Sequence, residues 1–501
     1  MSIFVNLSLS KVDKLNMTIK LIFGQPHFQI VHLNKSFILS NYPIVDSGTK
    51  TNRAVLKFLI CLGVAIGMVF LLRQPGFTDS QLYVIFLLFF AMGLWITEAI
   101  PAFAVSLFII AFLVFAMGNE HFNSAPEKID KYVNTFSSSV IWLMLGGFFL
   151  ALAMKKTKLD ERFFQFAVRI SGTNPRSLLL GLMMTTMFTS MIMSSAAATA
   201  MVVAAITPLI TSLGKKSGVT KALLLGVPLA AMVGGMGTII GTPTNAIAVG
   251  QLQNIGVKIS FLGWMMFAVP VAIVLTVVSC FTLIFVFLRD NTPIQPELID
   301  CKPVEQSEKL TGKRRIVITV LIVTILFWLT GSYWGITVAS VTAIPLVVFT
   351  LTGVISGTDV RTLPWDTLLL VAGGLSLGVA LQETELLNYY SAKIVELGFN
   401  PMTVLIILAY LAMLIANFMS ASAIVTVLIP LAFVILPSLQ KEVAIILALV
   451  TSTGIFLPVS DIPTAIAYST GFLDQKDFRI GGAVTGLLGP LLIILWVIFV
   501  S

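Results

Sequence analysis

The chain has 501 residues, 57% of them apolar and 11% charged, with a mean hydropathy of +0.99. Soluble domains carry about 25% charged residues; a chain this long and this apolar cannot cover itself with polar surface, so a water-soluble protein and a disordered one are both excluded. The formal net charge of +8 reads as lysine and arginine on cytoplasmic loops, not as a nucleic-acid surface. Cys61, Cys280 and Cys301 lack the spacing of a disulfide framework or a zinc site, and three histidines do not make a His-rich metal centre.

Residues 1–53 are polar with scattered apolar patches, which predicts a cytoplasmic N-terminal tail without a signal peptide. Apolar runs long enough to span a bilayer follow at 54–72, 81–99, 101–118 and 136–154. In 156–170, Leu159, Phe163, Ala167 and Ile170 share one helical face, which predicts a helix lying in the interface plane. Two interrupted apolar stretches come next, 176–212 and 222–250, then a span at 268–288 and a charged, Pro-containing linker at 289–315. The second half predicts spans at 316–333, 335–353, 367–382 and 483–500, an amphipathic segment at 385–397, and interrupted stretches at 401–437 and 443–471.

Charge sets the direction. With a cytoplasmic N-terminus, and with 176–212 and 401–437 as re-entrant hairpins, 25 basic residues face the cytoplasm and 6 face outward, accounting for all 31. That split obeys the positive-inside rule. Were both hairpins full spans, the clusters Arg162–Arg176 and Lys215–Lys221 would fall on opposite sides.

The two halves resemble each other. Gly146-Gly147 recurs as Gly373-Gly374, Asn174-Pro175 as Asn400-Pro401, and Ser194 as Ser420, at offsets of 226 or 227 residues, with Pro-containing breaks after each hairpin. The hairpins enter from opposite sides, so the repeats are inverted. The expected fold is an all-α polytopic membrane protein of about 11 transmembrane helices plus two re-entrant helical hairpins in an inverted repeat, 54–288 and 316–501. Inverted repeats with broken helices mark secondary transporters, with the site near the midplane.

The candidate site follows. The hairpins turn at Ser194-Ser195-Ala196 and Ser420-Ala421-Ser422. Small hydroxyl residues at a helix break let backbones approach and leave helix N-terminal N–H groups free, an anion site without a charged side chain. The breaks at Gly241-Thr242-Pro243-Thr244-Asn245 and Ser460-Asp461-Ile462-Pro463-Thr464 expose carbonyls and side-chain oxygens suited to a hard cation such as Na⁺. Substrate contacts are therefore expected from Ser194, Ser195, Ala196, Ser420, Ala421, Ser422, Thr242, Pro243, Pro463 and Thr464. Cation binding or coupling is expected from Ser194, Ser195, Gly241, Asn245, Ser420, Ser460 and Asp461. Na⁺ is the candidate metal, with no transition metal and no other cofactor. Asp461 is an ionisable group at membrane depth, which makes it either a cation ligand, a proton carrier or a helix N-cap.

Trp95-Ile96-Thr97-Glu98-Ala99-Ile100-Pro101, the Gly-Gly run at 146, the hairpin at 194 and Gly241-Thr242-Pro243-Thr244-Asn245-Ala246-Ile247-Ala248 occur in this order. Together they resemble the divalent anion:sodium symporter family, from about residue 54 to the C-terminus. The resemblance implies transport of di- or tricarboxylates or sulfate, a homodimer, and an elevator mechanism in which hairpins and broken helices move against a fixed scaffold; the expected place is the cell (inner) membrane. It also implies a Ser-Asn-Thr triplet at each hairpin tip; here both Asn and both Thr are replaced, and the second break has Asp461 and Thr464 where the family has Thr and Asn. Glu98 matches the family's Glu before Ile-Pro and is expected to hold a helix end by a scaffold hydrogen bond. The leading expectation is a Na⁺-coupled carrier of C4–C5 dicarboxylates. The alternatives are a Na⁺-independent exchanger, an H⁺-coupled carrier using Asp461, a carrier of sulfate or a less charged anion, and a channel, for which no pore-lining polar stripe is present. No paired carboxylates, His–metal set or Ser-His-Asp set points to an enzyme.

Overall fold

The computed structural model describes residues 47–501 apart from 125, 127, 290–293, 295–307, 397, 399 and 459. The expected N-terminal tail and most of the linker 289–315 lie outside the described residues. The chain divides into two units, Met1–Leu56 and Lys57–Ser501. Of the first, only the beginning of the helix Ser47–Leu72 is described.

Regular structure among the described residues is helical throughout. Among the described residues, eight helices are long and apolar enough to cross a membrane, or nine if one bent pair counts as a single span. The expectation of about eleven counts interrupted runs and spans whose helices fall short of that test. Residues 101–118 form a helix of 16 residues, Ala102–Met117. The run 335–353 is two helices, Val338–Val341 and Ala343–Leu351, parted at Thr342 ahead of Pro345, whose missing N–H suits the first turn of a new helix.

The same order of elements occurs twice. A helix carrying a Gly-Gly pair (Ser139–Lys156; Trp365–Glu383) leads to a shorter amphipathic helix (Leu159–Ser171; Leu386–Glu396). A hairpin follows (Pro175–Ser190 and Ser195–Leu213; Pro401–Ile415 and Ala421–Ile435), then a broken helix (Gly218–Gly235 and Pro243–Asn254; Gln440–Val450 and Ile462–Ser469), then a long final helix (Phe261–Phe287; Gln475–Val500).

The likeness extends to chemistry. Asn174 Oδ1 accepts from Arg176 N at 2.9 Å and Asn400 Oδ1 from Met402 N at 2.9 Å, each with Pro as the first helical residue. The turn into each amphipathic helix is made by a left-handed residue that is not glycine, Lys158 at φ 54° and Glu385 at φ 55°, a conformation costing about 1–2 kcal/mol and kept in both halves.

Close packing rests on small residues. Gly226, Ala230 and Gly234 are four apart on Gly218–Gly235, which packs along Pro175–Ser190. A Cβ on Gly226 would lie 2.8 Å from Met183 Sδ, and one on Gly234 would lie 2.3 Å from the carbonyl oxygen of Met187. The Gly-Gly pairs act alike: a Cβ on Gly146 would meet Thr342, and one on Gly373 would meet Ser106, at 2.6 and 2.3 Å. Two apolar clusters result. One joins Asp79–Thr97 and Ala102–Met117 to one face of Trp365–Glu383; the other holds most of the hairpins and broken helices.

Glu98 departs from expectation. Its backbone is left-handed (φ 49°) and ends the helix Asp79–Thr97, its side chain is exposed, and it makes no side-chain hydrogen bond among the described residues. The carbonyl of Thr97 is held instead by Lys57 Nζ at 2.8 Å.

Candidate functional site

The first hairpin and the first break form one hydrogen-bonded assembly. Ser194 is the N-cap of Ser195–Leu213, and its Oγ accepts from Ala197 N at 3.3 Å. The Ser195 hydroxyl is buried, bonded to the Ser190 hydroxyl at 3.1 Å; Ser190 in turn donates to the Ala231 carbonyl on the facing helix. A Cβ on Gly235 would lie 2.5 Å from Ser195 Oγ and 2.7 Å from Thr242 Cγ2. Gly235 therefore brings Ser195 and Thr242 to one place, next to Gly241, whose own Cβ would meet the Gly235 carbonyl oxygen at 2.2 Å. Thr238 Oγ1 donates to the Met191 carbonyl at 2.5 Å, tying the unwound segment to the hairpin turn.

Asn245 holds the break together. It is fully buried, and its Nδ2 group donates toward the carbonyls of Gly235, Met236 and Thr238 at 3.1, 3.3 and 2.7 Å. Three acceptors fix the amide with its nitrogen on the carbonyl side, so Oδ1 faces the other way, 3.4 Å from Thr244 Oγ1. Thr242 and Thr244 share a hydrogen bond of 2.6 Å. Oδ1 and these two hydroxyls are uncharged hard oxygens of the kind Na⁺ takes.

The second tip differs. Ser420 precedes Ala421–Ile435 and makes no side-chain cap. The N–H groups of Ala421, Ser422 and Ala423 make no hydrogen bond among the described residues, and Ser420 is exposed. This helix start carries the partial positive charge of the macrodipole with its donors unspent. At the second break the N-terminus of Ile462–Ser469 is already occupied: Asp461 Oδ1 accepts from Ile462 N at 2.7 Å, and Thr464 Oγ1 accepts from Asp461 N at 3.2 Å. Ser460 donates to the Leu457 carbonyl at 2.5 Å. The hydrogen bonds of Ser460, Asp461 and Thr464 close within their own turn, in the N-cap geometry.

Sequence reasoning missed Asn417. It is buried, its Nδ2 donates to the Met413 and Leu414 carbonyls, and its Oδ1 accepts from Phe456 N at 2.7 Å. It ties the second hairpin to the second break as Ser190 ties the first hairpin to its neighbour. The offset of 227 that relates Gly146 to Gly373 relates Ser190 to Asn417, which is the signal that could have found it. The halves are also crossed: Pro243–Asn254 packs on Ala421–Ile435, and Ile462–Ser469 packs on Ser195–Leu213.

A cavity of about 860 Å³ lies under the first hairpin, between Leu159–Ser171 and the two hairpin arms. Its inner end reaches Met193 and Ala197, beside the tip, and its outer end is lined by Lys155, Lys156, Lys158, Asp160 and Glu161. Burial pushes the Asp160 carboxyl up to about 6, against the N–H of Glu161 and the charge of Lys155, which pull it down. Above that pH the folded state holds a carboxylate it disfavours; below the unfolded value of about 3.9 both states are protonated and the cost vanishes. Asp160→Asn keeps the acceptor for Glu161 and is expected to stabilise the protein by roughly 2 kcal/mol at pH 7.5 and by nothing at pH 4, read as a shift in melting temperature at each pH.

The sequence matches the sodium:sulfate symporter transmembrane region over residues 52–500. It is 28% identical to the sodium-dependent dicarboxylate transporter SdcS of Staphylococcus saprophyticus, over 92% of this chain and 95% of that one. It is 27% identical to SdcS of Staphylococcus aureus (strain USA300), over 88% and 91%. Among solved structures, the YdaH transporter of Alcanivorax borkumensis (TM-score 0.51, 14% identity) covers 80% of this chain and 98% of its own. MtrF of Neisseria gonorrhoeae (TM-score 0.54, 13% identity) covers 82% and 96%. At these identities the likeness is one of fold.

Proposed function

The chain belongs to the divalent anion:sodium symporter family, a multi-pass membrane transporter and not an enzyme, and from that premise we propose that it carries a C4–C5 dicarboxylate across the membrane together with Na⁺. The observation that carries this reading is the unequal chemistry of the two halves. The second tip offers an uncapped helix start, with the N–H groups of Ala421, Ser422 and Ala423 free for a carboxylate. The first break offers Asn245 Oδ1, Thr242, Thr244 and unwound carbonyls for a cation. Ser195 borders the first break, beside Thr242 across Gly235, and its hydroxyl suits a cation. A cation bound at the first break offsets the charge of the arriving anion, which is the physical basis of coupling.

The movement is an elevator: the hairpins and broken helices, crossed onto each other, travel as one body against the helices that carry the Gly-Gly pairs. The positive-inside count supports a cytoplasmic N-terminus, and the working unit is a homodimer. Succinate uptake into proteoliposomes under an inward Na⁺ gradient, an inward H⁺ gradient or none tests the reading: accumulation under Na⁺ alone supports it, and uptake only into succinate-loaded vesicles replaces it with exchange.

An exposed carboxylate at the second break favours one second reading, H⁺ coupling through Asp461. The N-cap geometry gives the opposite expectation. Asn caps a helix about as well as Asp, so Asp461→Asn should keep Na⁺-driven uptake within about threefold of the parent. Loss of ion-driven accumulation with exchange intact would assign the coupling proton to Asp461.

A further inference from the structure

The second half of the first broken helix, Pro243–Asn254, ends in Gly250-Gln251-Leu252-Gln253-Asn254. Three of these side chains are amides, and all three reach out of their own helix. Gln251 Nε2 donates to the Gly374 carbonyl at 2.8 Å, Asn254 Nδ2 donates to the Leu375 carbonyl at 3.2 Å, and Gln253 Oε1 accepts from the Ser139 hydroxyl at 3.1 Å. Gly374 and Leu375 lie on Trp365–Glu383 and Ser139 on Ser139–Lys156, the two helices that carry the Gly-Gly pairs. These bonds join the moving body of the transport reading above to the helices it travels against. The ion pairs do not cross in this way: Lys131–Glu383 and Lys156–Asp359 lie outside that body, and Lys215–Asp474 and Lys221–Asp477 lie within it.

The seat is shaped for Gln251. That side chain is buried, and a Cβ on Gly378 would lie 1.9 Å from its Oε1, so the carboxamide fills the notch that Gly378 leaves. One turn away, a Cβ on Gly374 would lie 2.6 Å from Thr426 Cγ2, on the second hairpin arm. Two glycines four apart on one helix thus seat both crossed elements of the body, Pro243–Asn254 and Ala421–Ile435. The carbonyls do not depend on the amides. Gly374 and Leu375 lie inside a helix whose own N–H groups serve them, and a carbonyl oxygen accepts two bonds. The amides are the groups that lose partners when the body leaves, and a buried amide without a partner is costly.

The second half has no counterpart. Ile462–Ser469 is eight residues long, and at its end Ser469 donates back to the Ile466 carbonyl and Thr470 to the Ala467 carbonyl. In an inverted repeat, bonds made alike by both halves would favour neither end of the travel. Bonds made by one half favour one end. We propose that Gln251, supported by Gln253 and Asn254, is a detent: it holds the moving body at the end of its travel seen in this structure, and so sets how the empty carrier divides between its two positions. The inference rests on the elevator reading and adds a named stop to it.

The test is the distance between two nitroxides, measured by double electron–electron resonance on the full chain in proteoliposomes. The labels sit on Arg361→Cys, outside the body, and Lys216→Cys, on it, both at exposed positions, with the three native cysteines replaced by alanine. A second pair, Glu120→Cys with Ser438→Cys, reads the same division from the base of the second hairpin. Gln251→Met keeps the length and the unbranched shape of the side chain and removes its donor. One buried hydrogen bond is worth about fivefold in an equilibrium, so Gln251→Met is expected to shift the ratio of the two distances about fivefold away from the position described here. Gly378→Ala, whose methyl displaces the Gln251 carboxamide, should shift the ratio the same way, and should add little once Gln251→Met is present; a disturbance unrelated to the seat would add in full. Two positions whose ratio neither variant moves overturn the detent and leave the elevator standing. A single distance in the parent and every variant, with or without Na⁺ and succinate, overturns the elevator and the detent with it. If Gln251→Met does not fold, Asn254→Ala, at a half-buried position, decides the matter by the same shift.

Discussion

Replacing Asn245 with alanine is expected to abolish Na⁺-driven uptake and to lower the stability of the chain sharply. Its buried amide is the common donor to the carbonyls of Gly235, Met236 and Thr238; that of Met236 also accepts from Trp264 Nε1 and that of Thr238 from Gly241 N, so the Gly235 carbonyl depends on Asn245 most. A buried acceptor left without a partner costs about 1–3 kcal/mol, so a loss of that size is expected, and the unwound segment should lose the shape that sets Thr242 against Ser195. Asn245→Asp gives a sharper result. A carboxylate cannot donate to carbonyls, so this variant should be as inactive as alanine although it keeps the size and the oxygen. Activity in Asn245→Asp would mean that the residue serves through its oxygen alone. Melting temperature and uptake together separate the two effects.

The second large effect is expected from two adjacent glycines that differ in what surrounds them. A Cβ on Gly234 would lie 2.3 Å from the Met187 carbonyl oxygen and 2.6 Å from its Cα, both backbone atoms that cannot turn aside. Gly234→Ala must push the helix Gly218–Gly235 away from the hairpin arm Pro175–Ser190. Overpacking of this kind costs about 1–3 kcal/mol and occasionally more, and the upper end is expected here because no side-chain rotation relieves it. Little folded protein should be recovered. A Cβ on Gly235 would meet Ser195 Oγ and Thr242 Cγ2, side-chain atoms that can rotate. Gly235→Ala should therefore fold and be extracted normally, yet lose most of its uptake, because the two side chains displaced belong to the candidate site. Equal stability for the two variants would contradict the packing described here.

Much of the architecture was legible from the sequence because membrane helices obey few rules. The apolar runs marked the helices, and Asn174-Pro175 and Asn400-Pro401 announced their cap geometry by residue type alone. Pro345 held the signal for the break in 335–353, but the apolar residues around it read as one span. Lys158 and Glu385 were not legible, since nothing in a charged residue announces a left-handed turn; only their equivalence, seen in the structure, shows that the turn is required. The four candidate segments at the tips and breaks were found by their small and hydroxyl residues. What could not be read was which groups were already spent. Asn245 was chosen as a cation ligand for its oxygen, while the structure engages its nitrogen first and leaves the oxygen over. Asp461 was left open between three roles, and its bonds to its own helix follow from local backbone geometry that spacing does not reveal. Asn417 lay in an apolar run with no motif around it, and its partner, Phe456 N, is a backbone group 39 residues away.

The central claim is that anion and Na⁺ cross on one moving body, and it is tested most directly by driving one with the other. Proteoliposomes holding the parent chain, with equal Na⁺ on both sides and ²²Na⁺ as tracer, are given an inward succinate gradient. The account predicts that ²²Na⁺ accumulates transiently inside with the succinate, and that Asn245→Ala removes both fluxes together. Succinate that enters while ²²Na⁺ stays at equilibrium would contradict it.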